Sequence, residues 1–384
     1  MKLYIINQYY FPFHAATGQL LQELAEYLSN KGVEVAVVTG KNGDDSLADE
    51  EIINDVSVLR VRNRKDGTET STKLLSYLTF YSHIKKRLRM IVEDGSTVLV
   101  LSTPPLIASV LTGLKKSNQI RIIYNVQDLY PDILVALGKM SEKNLLYRVL
   151  KKKAKKIIEQ SDKIVTIDRK MQERLNREYG PLNGKSQIIE NWALKELQPY
   201  KSPDRTPELT VLYSGNMGRA HEYDTLLQAM KDLQQEKIKF VISGGGYNYN
   251  VLKDKASSLN HVEFSHYVPR EALSELINHS DLCMVIGSRE LSGIIVPSKF
   301  YGYIACGKPV IYVSSGEDAI SGHISKGKLG FCVENGNSTK LSSILRNLAR
   351  DRRTVKELEK NVENYRLRVS GEKSLKEYFE LITD

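Results

Sequence analysis

No apolar run in this sequence is long enough to cross a bilayer, and its opening stretch, MKLYIINQYYF, is too short and too polar for a signal peptide. That stretch reads as a first strand instead. Cysteine is scarce: Cys283, Cys306 and Cys332 are odd in number, lie in apolar or helix-to-strand segments and lack metal-ligand spacing. A disulfide framework or zinc module is thereby excluded, and buried thiols in a reducing compartment are the expectation. No GxGxxG follows the first strand, so the dinucleotide fingerprint is missing. Neither an Asp-x-Asp pair nor a His cluster marks a metal site, and no internal repeat or low-complexity tract is present. Acidic residues are outnumbered, 46 Asp and Glu against 55 Lys and Arg, which leaves a formal charge of +9. The excess gathers at Lys73, Lys85, Lys86, Arg87 and Arg89, and again at Lys143, Arg148 and the run KKKAKK from Lys151 to Lys156. A solvated helix face, nucleic acid, an anionic membrane and a polyanionic sugar each suit such charge. No interleaving of aromatic and basic residues marks a nucleic-acid reading element, which counts against that partner.

What is present is a chain of 384 residues, 41% hydrophobic and 26% charged, enough for two globular domains with separate cores. Lys2 to Asn7, a helix from Gly18 to Lys31 and Val33 to Thr39 read as an opening βαβ unit of a parallel sheet. After a polar loop from Gly40 to Glu51 and a strand at Ser57 to Val61 comes Leu74 to Met90, a helix that starts apolar and ends basic without one acidic residue. Such a helix suits a membrane interface or a core face with a solvated end. Strands at Thr97 to Leu101 and Arg121 to Asn125 follow, and the second runs into NVQDLYPDILVALG. Ligands of open parallel sheets collect at strand carboxyl ends, where this reading puts Asp128, with Asp132 second. A carboxylate there suits acid or base work on a hydroxyl, and a loop turn around Pro131 equally. A basic helix from Glu142 to Gln160 and two further strands complete the half. Lys195 to Glu208, with Pro199, Pro203 and Pro207, reads as a linker before a second βα series that begins at Leu209.

In that second half, SGIIVPSKFYGYIACGKPVI, from Ser292 to Ile311, reads as loop, helix, turn and strand. Pro297 and Ser298 open the helix, Gly307 follows its end and Pro309 leads into the strand. Backbone N–H groups, the Ser298 hydroxyl and the Lys299 ammonium at one helix start make an anion site, although most such starts bind only water. Two Gly-bearing turns, SGNMGRAHEYDTLL from Ser214 and SGGGYN from Ser243, follow strands in the same half.

The block from Ser292 to Ile311 resembles the signature of the family-4 retaining glycosyltransferases of the GT-B fold, bacterial polysaccharide-assembly type. The resemblance spans nearly the whole length, with its specific motifs in the second half. It implies an α/β protein with two Rossmann-like domains and a cleft between them. Residues 1–194 would bind acceptor and 195–366 the nucleotide sugar, while 367–384 would form a helix returning to the first domain. It implies transfer of a sugar from a nucleotide diphosphate, a UDP-sugar, to a saccharide or polyprenyl-diphosphate-linked acceptor, with no metal and no cofactor besides the substrate. By the same resemblance Ser292, Gly293, Ile294, Pro297, Ser298 and Lys299 clamp the donor, Gly18 lies under its phosphate and sugar, Gly245 belongs to a Gly-rich turn, and the backbone at Val268 meets the base. The family usually has Arg just after the first Gly of the second-half turn and Lys five residues later. Here Asn216 follows Gly215 and His221 takes the later place, so Arg219 and Lys299 become the phosphate cations. Asp128 is the acceptor-side carboxylate, with Gln127 before it where the family often has His. The family's helix Glu, thought to hold the ribose, is replaced by Gly302, which marks either a subgroup or lost activity. Acceptors on lipid carriers imply a cytoplasmic protein, peripheral on an anionic membrane face. A nucleotide-sugar epimerase and a non-catalytic binding module remain as alternatives.

Overall fold

Runs such as Thr97–Leu101, buried at every position, form strands covered on both faces, as parallel sheets require. The structure, a computed structural model, describes residues 1–13, 15–67, 70–199, 207–218 and 221–384. It divides into two units, Met1–Glu190 with Ser374–Asp384, and Asn191–Lys373. In the first, β1 (Lys2–Ile6), α1 (Ala16–Asn30), β2 (Glu34–Gly40), β3 (Glu50–Ile53), β4 (Val56–Val61), α2 (Thr70–Ile91), β5 (Thr97–Leu101), α3 (Leu111–Ser117), β6 (Arg121–Val126), α4 (Asp132–Ala136), α5 (Leu145–Gln160), β7 (Lys163–Thr166), α6 (Arg169–Tyr179) and β8 (Ser186–Ile188) follow in order. The sheet order is β3-β4-β2-β1-β5-β6-β7-β8, parallel except that β3 pairs antiparallel with β4. The polar loop expected from Gly40 to Glu51 therefore ends in a strand. β3 is an edge strand with Ile52 exposed, so it lacks the buried alternation that betrays a strand in sequence.

In the second unit, β9 (Leu209–Asn216), α7 (Asp224–Asp232), β10 (Ile238–Gly245), α8 (Tyr247–Lys255), β11 (Val262–Ser265), α9 (Arg270–Asn278), β12 (Leu282–Ile286), α10 (Lys299–Ala305), β13 (Val310–Val313), α11 (Ala319–Gly327), β14 (Gly330–Val333), α12 (Ser338–Arg350) and α13 (Arg352–Tyr365) precede α14 (Gly371–Thr383). All six strands are parallel in the order β11-β10-β9-β12-β13-β14. Alternate residues of β12 feed two apolar layers: Leu282, Met284 and Ile286 join one core cluster, and Cys283 and Val285 the other. The three cysteines are free thiols, two of them buried. Strand order reverses between β9 and β12, and a reversal of this kind is where open α/β sheets bind ligands.

From Ser374 onward α14 belongs to the first unit. Asn125 donates to the Tyr378 hydroxyl at 2.5 Å, and the Arg121 guanidinium donates to the carbonyls of Leu381 and Ile382 at 2.9 and 3.1 Å, a cation placed against the end of a helix. The fold is thus of GT-B type, two Rossmann-like α/β units.

Candidate functional site

At the reversal in the second unit, β9 and β10 pair without a break from Leu209 against Ile238 to Asn216 against Gly245. The glycines expected to make turns are therefore strand ends. Gly244, at φ 140°, lies so close to the Gly215 carbonyl oxygen that a Cβ there would stand 2.1 Å from it, and Gly215 itself has φ 117°. Only glycine satisfies both the angle and the approach. The loop beyond β9 does not open directly into a helix, since α7 begins at Asp224.

α10 aims Lys299 at these strand ends. One turn further along the same face, the Tyr303 hydroxyl accepts from the Ser214 N–H at 2.9 Å and donates to the Ser214 carbonyl at 3.2 Å, pinning the helix to β9. The Lys299 ammonium donates to the Asn216 carbonyl at 3.3 Å and sits 4.9 Å from the centre of the Tyr213 ring. Tyr213 donates to that same Asn216 carbonyl at 3.0 Å. Among the described residues no carboxylate pairs with Lys299, and burial pushes its ammonium down to about 8. The site thus holds a partly desolvated cation that none of the described carboxylates neutralises. Tyr303 and Tyr213 were not among the sequence candidates, though Tyr303 stands four residues after Lys299, the spacing of one helix face.

His221 lies near that cation. Burial and the charge of Lys299 push its imidazole down to about 4, and its Nδ1 is buried without a hydrogen-bond partner among the described residues. At neutral pH it is an uncharged imidazole, which does not replace the ammonium that the resemblance places there. Its carbonyl accepts from Asn248 at 2.7 Å, tying the loop to α8. Arg219 lies outside the described residues. Gly245 backs onto the Tyr267 ring, and Val268 follows in the segment after β11. Pro297 and Ser298 are half-buried at the start of α10, and the Ser298 side chain makes no cap to that helix. Ser292 is half-buried, Gly293 has φ 70°, and the fully buried Ile294 is a core anchor. Ile294 therefore offers a ligand at most its backbone.

Gly302 has a specific neighbour. A Cβ built there would stand 2.8 Å from Cδ1 of Leu197, which comes from the segment read as linker. The place of the family's ribose-binding Glu is thus backed by an apolar side chain. Gly302→Ala should hold or raise the melting temperature, because the Leu197 tip can turn aside and Ala gains up to about 1 kcal/mol over Gly in a helix. Gly302→Glu should lower it, since overpacking costs about 1–3 kcal/mol. Leu197→Ala in the same chain should restore part of the loss, as read by thermal denaturation.

In the first unit, Gly18 is buried in the first turn of α1, where a Cβ would stand 3.0 Å from the Tyr9 carbonyl oxygen. That close approach holds the loop after β1 against the helix. Asp128 follows β6. The Ser102 Oγ, beyond β5, accepts from the N–H groups of Gln127 and Asp128 at 3.0 and 3.1 Å, so neighbouring strand ends fix the loop. Burial pushes the Asp128 carboxyl up to about 6, partly opposed by the charge of Lys73. Asp132, the second candidate, is structural: almost fully buried, it pairs with Lys151 at 2.6 Å and accepts from the Tyr179 hydroxyl at 2.7 Å. Among the described residues no three His, Cys, Asp or Glu side chains are grouped to hold a metal ion.

Two family models match the chain side by side. The one described as Glycosyltransferase Family 4 covers residues 17–193, and the one described as Glycosyl transferases group 1 covers residues 195–366. A Pseudomonas aeruginosa protein named "Probable glycosyltransferase WbjE" is 27% identical over 254 residues, which is 62% of this chain and 62% of that protein. The chain thus spans about six-tenths of that relative's length. Among solved structures, WaaG, a glycosyltransferase involved in lipopolysaccharide biosynthesis, superposes with TM-score 0.71 at 14% identity, covering 99% of both chains. Anabaena Alr3699/HepE in complex with UDP-glucose gives 0.71 at 13% identity, covering 100% of this chain and 99% of that one. At such identities the likeness speaks for the fold.

Proposed function

Since this chain belongs to the group 1 glycosyltransferases, we propose that it moves a sugar from a UDP-sugar to a saccharide or polyprenyl-diphosphate-linked acceptor in cell-surface polysaccharide assembly, with retention at the anomeric carbon. One observation carries the donor half of this reading. Lys299, held by Tyr303 at the strand reversal, is a half-buried ammonium with no carboxylate partner among the described residues. A diphosphate supplies the missing anion, and a cation in a partly dry site stabilises the charge that develops on it as the anomeric C–O bond breaks. The UDP-glucose bound by HepE and the lipopolysaccharide role of WaaG support the same direction. Asp128 serves the acceptor, taking a hydrogen bond from the attacking hydroxyl or assisting its deprotonation. The diphosphate charge is met by Lys299 and the loop cation Arg219, so no metal and no cofactor beyond the nucleotide sugar enters the scheme.

The test is a panel of nucleotide sugars scored by thermal shift, because a ligand selective for the folded state raises its apparent stability. The selected donor is then incubated with acceptor. Free UDP released in step with glycoside supports transfer, whereas sugar interconversion without UDP release would reveal an epimerase. The anomeric configuration of product against donor, read by NMR, decides retention.

The acceptor half extends to a membrane. No helix among the described residues is long and apolar enough to cross one. α2 and α5, however, each lead into a strand of the parallel run, so they point the same way, and Lys153 reaches to 5.4 Å from the centre of the Tyr81 ring to join them. Their N-terminal halves expose Leu74, Leu75 and Leu78, and Leu145, Leu146 and Val149. Their later turns expose Lys85, Lys86 and Arg89, and Lys152, Lys153, Lys155 and Lys156. Arg87, counted from sequence with the free cations, instead pairs with Glu50. Each exposed cation near an anionic surface is worth about 1 kcal/mol. The protein should co-sediment with anionic but not neutral vesicles, and lose that binding as salt shortens the Debye length from about 10 Å at 0.1 M to about 3 Å at 1 M. Reversal of Lys85, Lys86 and Arg89 to Glu should abolish it. Wild-type protein that ignores anionic vesicles at low salt would make these solvated helix faces and favour a soluble acceptor.

A further inference from the structure

The loops at the carboxyl ends of β1, β4 and β6 and the first half of α2 bring together phenols and carboxylates that the donor chemistry does not use. Tyr9, after β1, donates its hydroxyl to Asp66 Oδ2, after β4. The other oxygen, Asp66 Oδ1, is buried and has no hydrogen-bond partner among the described residues. Tyr9 lies near Tyr77 and Tyr130 as well as Asp66, and Tyr77 in turn lies near Tyr130, Asp66 and Asp128. Tyr130 and Tyr124 both feel Asp128. Of the described cations, Lys73 reaches this group, 5.9 Å from the centre of the Tyr77 ring and near enough to act on Asp128.

The group is held by its supports. Asn7 donates to the Tyr9 carbonyl at 2.7 Å, Gly18 lies against the same carbonyl, and Ser102 fixes the backbone at Asp128. Tyr9, Tyr77 and Tyr130 are half-buried, neither packed away nor free in solvent. Phenol rings offer flat apolar faces for the C–H groups of a sugar, and carboxylates accept from its hydroxyl or amino groups. Two carboxylates in a site of reduced dielectric also repel a carboxylate or phosphate carried on that ring. The cluster thus has both an attractive and a rejecting element, as specificity requires.

We propose that Tyr9, Tyr77, Tyr130 and Asp66 form a subsite for a neutral or amino-substituted sugar ring, with Asp66 as the residue that excludes uronic acids and rings phosphorylated away from the anomeric carbon. The ring is the acceptor's if the transferase reading holds, and the proposal rests on that reading only for this identification.

Saturation-transfer NMR and calorimetric titration with methyl β-glucopyranoside, glucosamine, methyl β-glucuronide and glucose 6-phosphate test it on the full-length protein. Wild type should bind the first two about tenfold or more tightly over the last two. Asp66→Asn should admit the glucuronide and erase the preference, and Tyr77→Ala should weaken all four probes. A thermal shift with UDP, measured on every variant, reports folding and donor binding separately and should be unchanged. Equal binding of neutral and acidic sugars, no saccharide binding at millimolar concentration, or an Asp66→Asn variant that still discriminates would overturn the subsite. Loss of the UDP response with sugar discrimination intact would instead overturn the donor reading and leave the subsite standing.

Discussion

Asp128→Asn should lower kcat by about 10²–10⁴, the range of general acid–base assistance, with little change in the KM for donor. Its pH profile makes the test specific. Burial holds the Asp128 carboxyl at about 6, so the ionised form prevails at neutral pH and the protonated form below that value. A reaction that needs the carboxylate should therefore fall as pH drops through about 6, by about tenfold per unit once protonation dominates. In the Asn variant that limb should vanish while residual activity stays flat. Initial rates across pH 5 to 8, with donor saturating, supply the measurement. An unchanged kcat and an unchanged acid limb would assign Asp128 to the turn that Ser102 holds.

Lys299→Ala should weaken donor binding by about 10- to 150-fold, the equivalent of about 1.5–3 kcal/mol for a hydrogen bond to a charged group. The sign of its pH dependence is opposite to that of Asp128. With the free ammonium held down near 8, donor affinity in wild type should decline as pH rises through about 8 and the positive charge is lost. The Ala variant should show no such decline. A second readout needs no substrate: Lys299 is one of the two causes that depress His221, so the variant should move that imidazole upward toward its ordinary value, visible by NMR titration. Near-normal donor affinity together with an unmoved His221 would remove Lys299 from the site.

Most of the fold is legible in the sequence because its strands are buried on both faces and its helices present one apolar stripe. Thr97–Leu101 and Gly330–Val333 fall where the apolar runs place them. Legibility ends where pairing partners are distant. Asp132 and Lys151 meet across nineteen residues of chain, so an ion pair that ties α4 to α5 reads in sequence as a loose carboxylate and one more lysine of a basic run. The glycines after Tyr213 read as a turn because the residue type permits one, while the parallel pairing that carries them into β9 depends on β10, more than twenty residues away. Lys299 is legible from Pro-Ser-Lys at a helix start. The support from Tyr213 is not, since no local spacing joins a strand residue to a helix eighty-six positions later; that meeting exists only once β9 and β12 are neighbours.

Ser374–Asp384 fold with residues synthesised well before them, across the whole of the other unit. Tyr378, Leu381 and Ile382 are buried in the unit that contains Met1–Glu190, yet they are made only after the whole of Asn191–Lys373. Chains emerge at about 5–20 residues per second, and domains ordinarily fold in the order in which they appear. Here Asn191–Lys373 is one unbroken stretch and has all its own residues before the other unit has its last helix. The unit begun first is therefore completed after the other, and until Tyr378 to Ile382 have emerged the Asn125 side chain and the Arg121 guanidinium wait for their partners. A stop codon after Lys373 would keep every residue of the later unit and strand the earlier one in that unfinished condition.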